Sequence, residues 1–135
     1  MKQKEIGDRG LDEAKLACDA LQKHYREIRH IGYYDFFGKI TYDRQRDNLQ
    51  PLEGTEEMHI LNGNVATTLG NWKRSDFLLG RLDGIIMIRE KITVLMVPRY
   101  TTDSYFLAVF NKNTPVSDIE KVRSRIITVR DKLDR

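Results

Sequence analysis

Apolar residues recur every three or four positions at Leu11, Ala14, Cys18, Leu21, Tyr25 and Ile28, with Asp12, Lys15, Asp19, Lys23 and Arg26 between them. A period of about 3.6 residues gathers the first set on one face, so the segment predicts an amphipathic helix of about five turns. At Ile31 the pattern changes. Ile31 to Phe36, Phe37-Gly38, and Lys39 to Asp43 place aromatic and β-branched residues around a glycine-containing turn, which predicts a β-hairpin. From Arg44 to Gly54 the chain is polar and carries Asp47-Asn48, Pro51 and Gly54, the composition of a surface loop.

Thr55 is placed to cap a second helix whose first turn holds Glu56 and Glu57, the sign of charge that suits a helix N-terminus. Its apolar face reads Met58, Leu61, Val65, Leu69 and Trp72. Gly63, Asn64, Thr67 and Thr68 are mediocre helix formers, so this helix relies on packing more than on propensity. Three strands are predicted next, over Leu82 to Arg89, Thr93 to Arg99 and Ser104 to Asn111, joined by short polar turns into an antiparallel meander. Ile85 to Ile88 and Val94 to Val97 are apolar on both faces, which predicts strands covered on two sides. The last segment carries Ser117-Asp118-Ile119-Glu120, a capping-box sequence. Val116, Ile119, Val122, Ile126, Val129 and Leu133 follow at helical spacing, with Lys121, Arg123, Arg125, Arg130 and Lys132 outside the stripe. The order is α-β-β-α-β-β-β-α: one α+β domain over residues 11–135 with a five-stranded antiparallel sheet, preceded by a polar tail over residues 1–10.

Composition narrows the chemistry. The chain has 135 residues with a formal net charge of +3, 40% hydrophobic residues, 3 Pro and 9 Gly, which is enough apolar material for one core. A single cysteine excludes an internal disulfide framework and a multi-cysteine zinc site, and suits a reducing, cytoplasmic setting. The first ten residues lack the apolar stretch of a secretory signal, and no run approaches the length needed to span a bilayer, so no membrane insertion is expected.

The order of elements resembles the roadblock or dynein-light-chain-7 domain, a variant of the profilin-like fold. Gly32-Tyr33-Tyr34-Asp35-Phe36-Phe37-Gly38 looks like the first hairpin of that family, with an aspartate and a glycine in the turn. Ile85 to Arg89, Val94 to Pro98 and Asp103 to Phe110 look like its meander. The resemblance spans residues 11–133, and departs from the family at the polar loop 44–54 and at Gly63 and Asn64. It implies a non-catalytic interaction module that pairs with itself as a homodimer, or with a related roadblock-type subunit. It also implies a role in scaffolding or regulating a Ras-like small GTPase. The expected interface holds Met58, Leu61, Val65, Leu69 and Trp72 on the middle helix, and Ile86 and Ile88 on the third strand. An apolar edge such as Ile85 to Ile88 independently calls for cover by another chain.

Other chemistry finds little footing. His24, His30 and His59 show no ligand spacing, and Cys18 falls on the apolar face of the first helix. There is no nucleophile elbow, and the glycines at 80 and 84 precede a strand where a phosphate loop requires a helix. No catalytic residue, metal or cofactor is therefore expected. Trp72 either closes the core or anchors an interface. The basic residues of the last helix, with Lys73-Arg74 and stacking by Tyr33, Tyr34 and Tyr42, leave weak nucleic-acid binding as an unfavoured alternative, because Asp118, Glu120, Asp131 and Asp134 dilute the charge. A second alternative is a profilin-like or PAS-like sensory domain that uses the sheet as the floor of a small-ligand pocket.

Overall fold

The computed structural model describes the backbone of residues 2–37, 40–46 and 55–135, and side chains over 10–37, 41–46 and 60–135. Its elements are α1 (Lys2–His24), β1 (Ile28–Asp35), β2 (Ile40–Gln45), α2 (Thr55–Lys73), α3 (Asp76–Leu79), β3 (Ile85–Ile88), β4 (Ile92–Pro98), β5 (Ser104–Asn111) and α4 (Val116–Leu133). Five strands pair antiparallel in the order β2-β1-β5-β4-β3. This is the expected α+β domain with a five-stranded antiparallel sheet. It has one short helix, α3, that the apolar pattern does not signal, because a single turn is too short to show a period.

Strand alternation splits the apolar runs between two cores. Leu95, Val97, Phe106, Ala108 and Phe110 face α1 and α4, where Ala14, Cys18, Leu21, Ile119, Val122 and Ile126 meet them. Val94, Met96, Tyr105, Leu107 and Val109 face α2 through Val65, Ala66 and Leu69. Every residue of β4 is buried, as the doubly apolar run predicts, and helices of this chain cover both of its faces. A Cβ at Gly32 would collide with the Tyr34 ring, which stacks on Tyr105 at 5.4 Å, so β1 needs a glycine at that point.

Three elements differ at their ends from the expected ones. α1 begins at Lys2, ahead of the apolar period that starts at Leu11, and ends at His24. Ile28 opens β1 opposite Phe110 and does not extend the helix. The reason lies in Arg46, just past β2, whose guanidinium donates to the carbonyl of Gln22 in the last turn of α1 and to those of Tyr25 and Ile28 beyond it, at 2.7–2.8 Å. The capping box does not form. Pro115 occupies the N-cap position of α4, the amides of Asp118 and Ile119 donate to its carbonyl, and Ser117 lies inside the helix. Glu120 pairs with Arg123 instead. β3 is limited to Ile85–Ile88, because Leu82 and Asp83 are held back by Arg130.

Most of the expected loop, residues 47–54, lies outside the described residues, as do the turn residues Gly38 and Lys39. The expected turn aspartate does act there: Asp35 accepts from the amide of Phe37 at 3.0 Å.

Candidate functional site

The two outer strands of the sheet are β2 and β3. β3 reads Ile-Ile-Met-Ile with no charged residue, and its outward backbone groups have no strand neighbour among the described residues. Ile85 and Met87 pack toward the α2 core, Ile86 toward the α1/α4 core, and Ile88 is 72% exposed. Over the same edge, α2 covers the sheet incompletely. Leu61, Asn64 and Thr68 on α2 and Ile85, Met87, Ile92 and Met96 on the sheet bound an open groove of about 380 Å³.

α2 sits on the sheet through Asn62, Val65, Ala66 and Leu69, all buried, and spacing of three and four carries a second stripe, Leu61, Thr68 and Trp72, to its flank. Trp72 is 56% exposed at the end of that stripe. Of the expected interface residues, Leu61 lines the groove, Trp72 is exposed near the end of α2 and Ile88 is exposed on the strand face it shares with Ile86, whereas Val65 and Leu69 contact this chain's own core. Ile86 is half-buried at the edge, and the side chain of Met58 lies outside the described residues. Asn62 was not singled out in the sequence. Its amide is buried with neither Nδ2 nor Oδ1 partnered, a cost of about 1–3 kcal/mol that makes α2 less firmly seated than a helix with an apolar contact there. The nearby Tyr105 hydroxyl donates to the Asn62 backbone carbonyl, and burial pushes that phenol well above its ordinary pKa.

The other candidates settle into structural positions. Cys18 is buried on α1, where desolvation first and then Asp19 push its thiol up to about 12, so it stays protonated at neutral pH. His30 sits between Gln45, the Tyr34 hydroxyl at 2.7 Å and Asp43 at 3.8 Å, while the side chain of His59 lies outside the described residues. Among the described residues no helix is long and apolar enough to cross a membrane.

The basic face of the last helix is not uniform. Arg130, read from its position as part of a solvated stripe, is 1% exposed and holds Asp83 at 2.8 Å and the carbonyl of Leu82. Arg123 pairs with Glu120, Lys121 approaches Asp118, and Arg125 lies over the Tyr25 ring. Tyr33 and Tyr34 are buried, which removes them as stacking platforms. A guanidinium at the edge of an apolar stripe is equally compatible with solvent and with a carboxylate that another segment brings to it, so its position in the sequence does not decide its burial.

The fold is that of solved roadblock/LC7-type proteins. The chain is 17% identical to a structure of MglB with a tetrameric arrangement, with a TM-score of 0.65 over 91% of this chain and 88% of that one. A structure of the gliding protein MglB from Thermus thermophilus is 13% identical, with a TM-score of 0.64 over 91% and 92%. A roadblock/LC7 domain from Streptomyces avermitilis is 3% identical, with a TM-score of 0.64 over 87% and 92%. No family profile matches the chain, and no curated protein matches it.

Proposed function

Taking the roadblock/LC7 fold as premise, we propose that this chain is a non-catalytic adaptor that pairs with a second copy, or with a related roadblock-type subunit, through α2 and the edge of β3. The pair would regulate or scaffold a Ras-like small GTPase, the role that such domains commonly serve. The observation that carries the pairing is the uncharged β3 edge, which presents exposed Ile88 and whose Ile85 and Met87 line the groove beneath α2. Strand addition at this edge satisfies the open backbone groups and buries the groove in one step.

Light scattering after size exclusion tests the pairing. A mass near twice 15.8 kDa is expected, and Ile88→Lys should reduce it to that of one chain while leaving the circular dichroism spectrum unchanged. A wild-type monomer that also fails to pair with any roadblock-type subunit, or a dimer indifferent to Ile88→Lys, would count against this placement. For the GTPase, capture on Ras-like proteins loaded with a GTP analogue or with GDP should differ between the two nucleotide states. Equal capture in both states argues for scaffolding and not regulation, and absent capture argues for a scaffold without a GTPase.

A further inference from the structure

Among the described residues, the most exposed run of apolar side chains lies in α3 and not in that edge. α3 follows α2 after Arg74 and Ser75, and none of its four residues is buried. Phe77, Leu78 and Leu79 are 89%, 74% and 72% exposed. Successive helical residues point about 100° apart, so three in a row present apolar surface around most of the turn and not along one stripe. A protein groove takes one stripe of a helix, whereas an all-round apolar tip matches a medium that surrounds it.

Charge around the tip points the same way. Arg74 before it and Arg81 after it are both exposed. The Arg81 guanidinium lies 5.3 Å from the ring centre of Tyr100, itself half exposed, and 3.8 Å from Asp131. Of the acids in this stretch, Asp76 accepts from the amide of Leu82, and Asp83, half exposed, pairs with Arg130. The rim thus carries exposed Arg74, Arg81 beside Asp131 and an interfacial aromatic, and its centre is apolar.

We propose that the α3 tip seats this protein on an anionic lipid surface, with Phe77, Leu78 and Leu79 in the boundary between headgroups and acyl chains and Arg74 and Arg81 against lipid phosphates. This is peripheral contact with one leaflet, and it refines the expectation of no membrane insertion drawn from the absence of a long apolar run. It does not rest on the pairing read above, because the tip is exposed on a single chain.

The test is sedimentation of the full chain with vesicles of phosphatidylcholine alone or mixed with about one third phosphatidylserine. Binding is expected to the anionic vesicles and to weaken as salt rises. Phe77→Ser with Leu79→Ser should abolish it, and Arg74→Glu should weaken it by about fivefold or more, since one basic residue near such a surface contributes about that factor. No sedimentation with anionic vesicles, or sedimentation that the variants leave unchanged, overturns the proposal. The same variants are run by light scattering: a fall in molar mass with the serine pair would show that the tip is covered by another copy, which also overturns it. Ile88→Lys serves as the contrast, because it should break pairing and leave each chain's tip intact.

Discussion

The two edges of the sheet face the same hazard and meet it differently. β2 carries Asp43 and Arg44 and is tied to α1 at several points: the Tyr42 hydroxyl and the Arg44 guanidinium both reach Asp19, Gln22 donates to the Arg44 carbonyl, and Arg46 gathers the last carbonyls of the helix. Charge and covering contacts of this kind block pairing with another chain. β3 has four apolar residues, no charge and a groove beside it. Among the described residues, β3 is secured by β4 in register, by Ile85, Ile86 and Met87 against the two cores, and by Arg130 holding Leu82 and Asp83 just before the strand begins. One edge is closed by its own chain, and the other has no strand neighbour among the described residues. That asymmetry, more than any single residue, is what the proposed pairing rests on.

The contrast can be broken most forcefully at Arg130. Arg130→Ala removes a buried guanidinium together with its contacts to Asp83 and Leu82, and should cost about 2–3 kcal/mol in denaturant unfolding, since the abandoned Asp83 is half exposed and rehydrates. If β3 depends on that anchor, amide exchange at Ile85 to Ile88 will accelerate more than exchange in β2. Uniform acceleration would mean that Arg130 supports the whole fold and not this edge.

A smaller effect is expected from acid. Burial tends to raise the Asp134 carboxyl, but hydrogen bonds from the Thr101 hydroxyl, the Tyr100 amide and Arg99 outweigh it and hold the group below its ordinary value of 3.8. A depressed folded-state pKa gives a contribution that is complete above the unfolded value and is lost as pH falls through the folded one. Thermal unfolding followed from neutral pH downward should therefore steepen below about pH 4, and Asp134→Asn should flatten that limb. An unchanged acid limb would remove Asp134 from the account of how the β4–β5 turn is clamped.

The smallest change is expected at the closed edge. Asp19→Ala frees Tyr42 and Arg44 at the surface and should lower Tm by no more than a few degrees, with molar mass unchanged. Tyr42, whose ionisation is held up first by its hydrogen bond to Asp19, should titrate closer to an ordinary tyrosine in the variant. New oligomers in Asp19→Ala would show that the clamp, and not the charge on β2, keeps that edge closed.

Much of this organisation was legible in the order of residues. The helical period from Leu11 to Leu21, the strand from Ser104 to Asn111, and the doubly apolar run Val94 to Val97 each describe a local environment that any compact fold must respect. The edge position of the third strand followed as well, since a short apolar run at the start of a meander has a neighbour on only one side. Other features depend on residues far apart in sequence. That α1 stops at His24 depends on Arg46, that Arg130 is buried depends on Asp83, and that Val65 and Leu69 belong to the core while Leu61 borders the groove and Trp72 is exposed depends on how α2 lies across the sheet. The tip of α3 is of the same kind, because Phe77, Leu78 and Leu79 have the composition of a core and only the path of the chain leaves them outside. Sequence periodicity determines which residues share a face, because that is a property of backbone geometry alone; which of those faces finds a neighbour is decided by packing between distant segments, which no local pattern records.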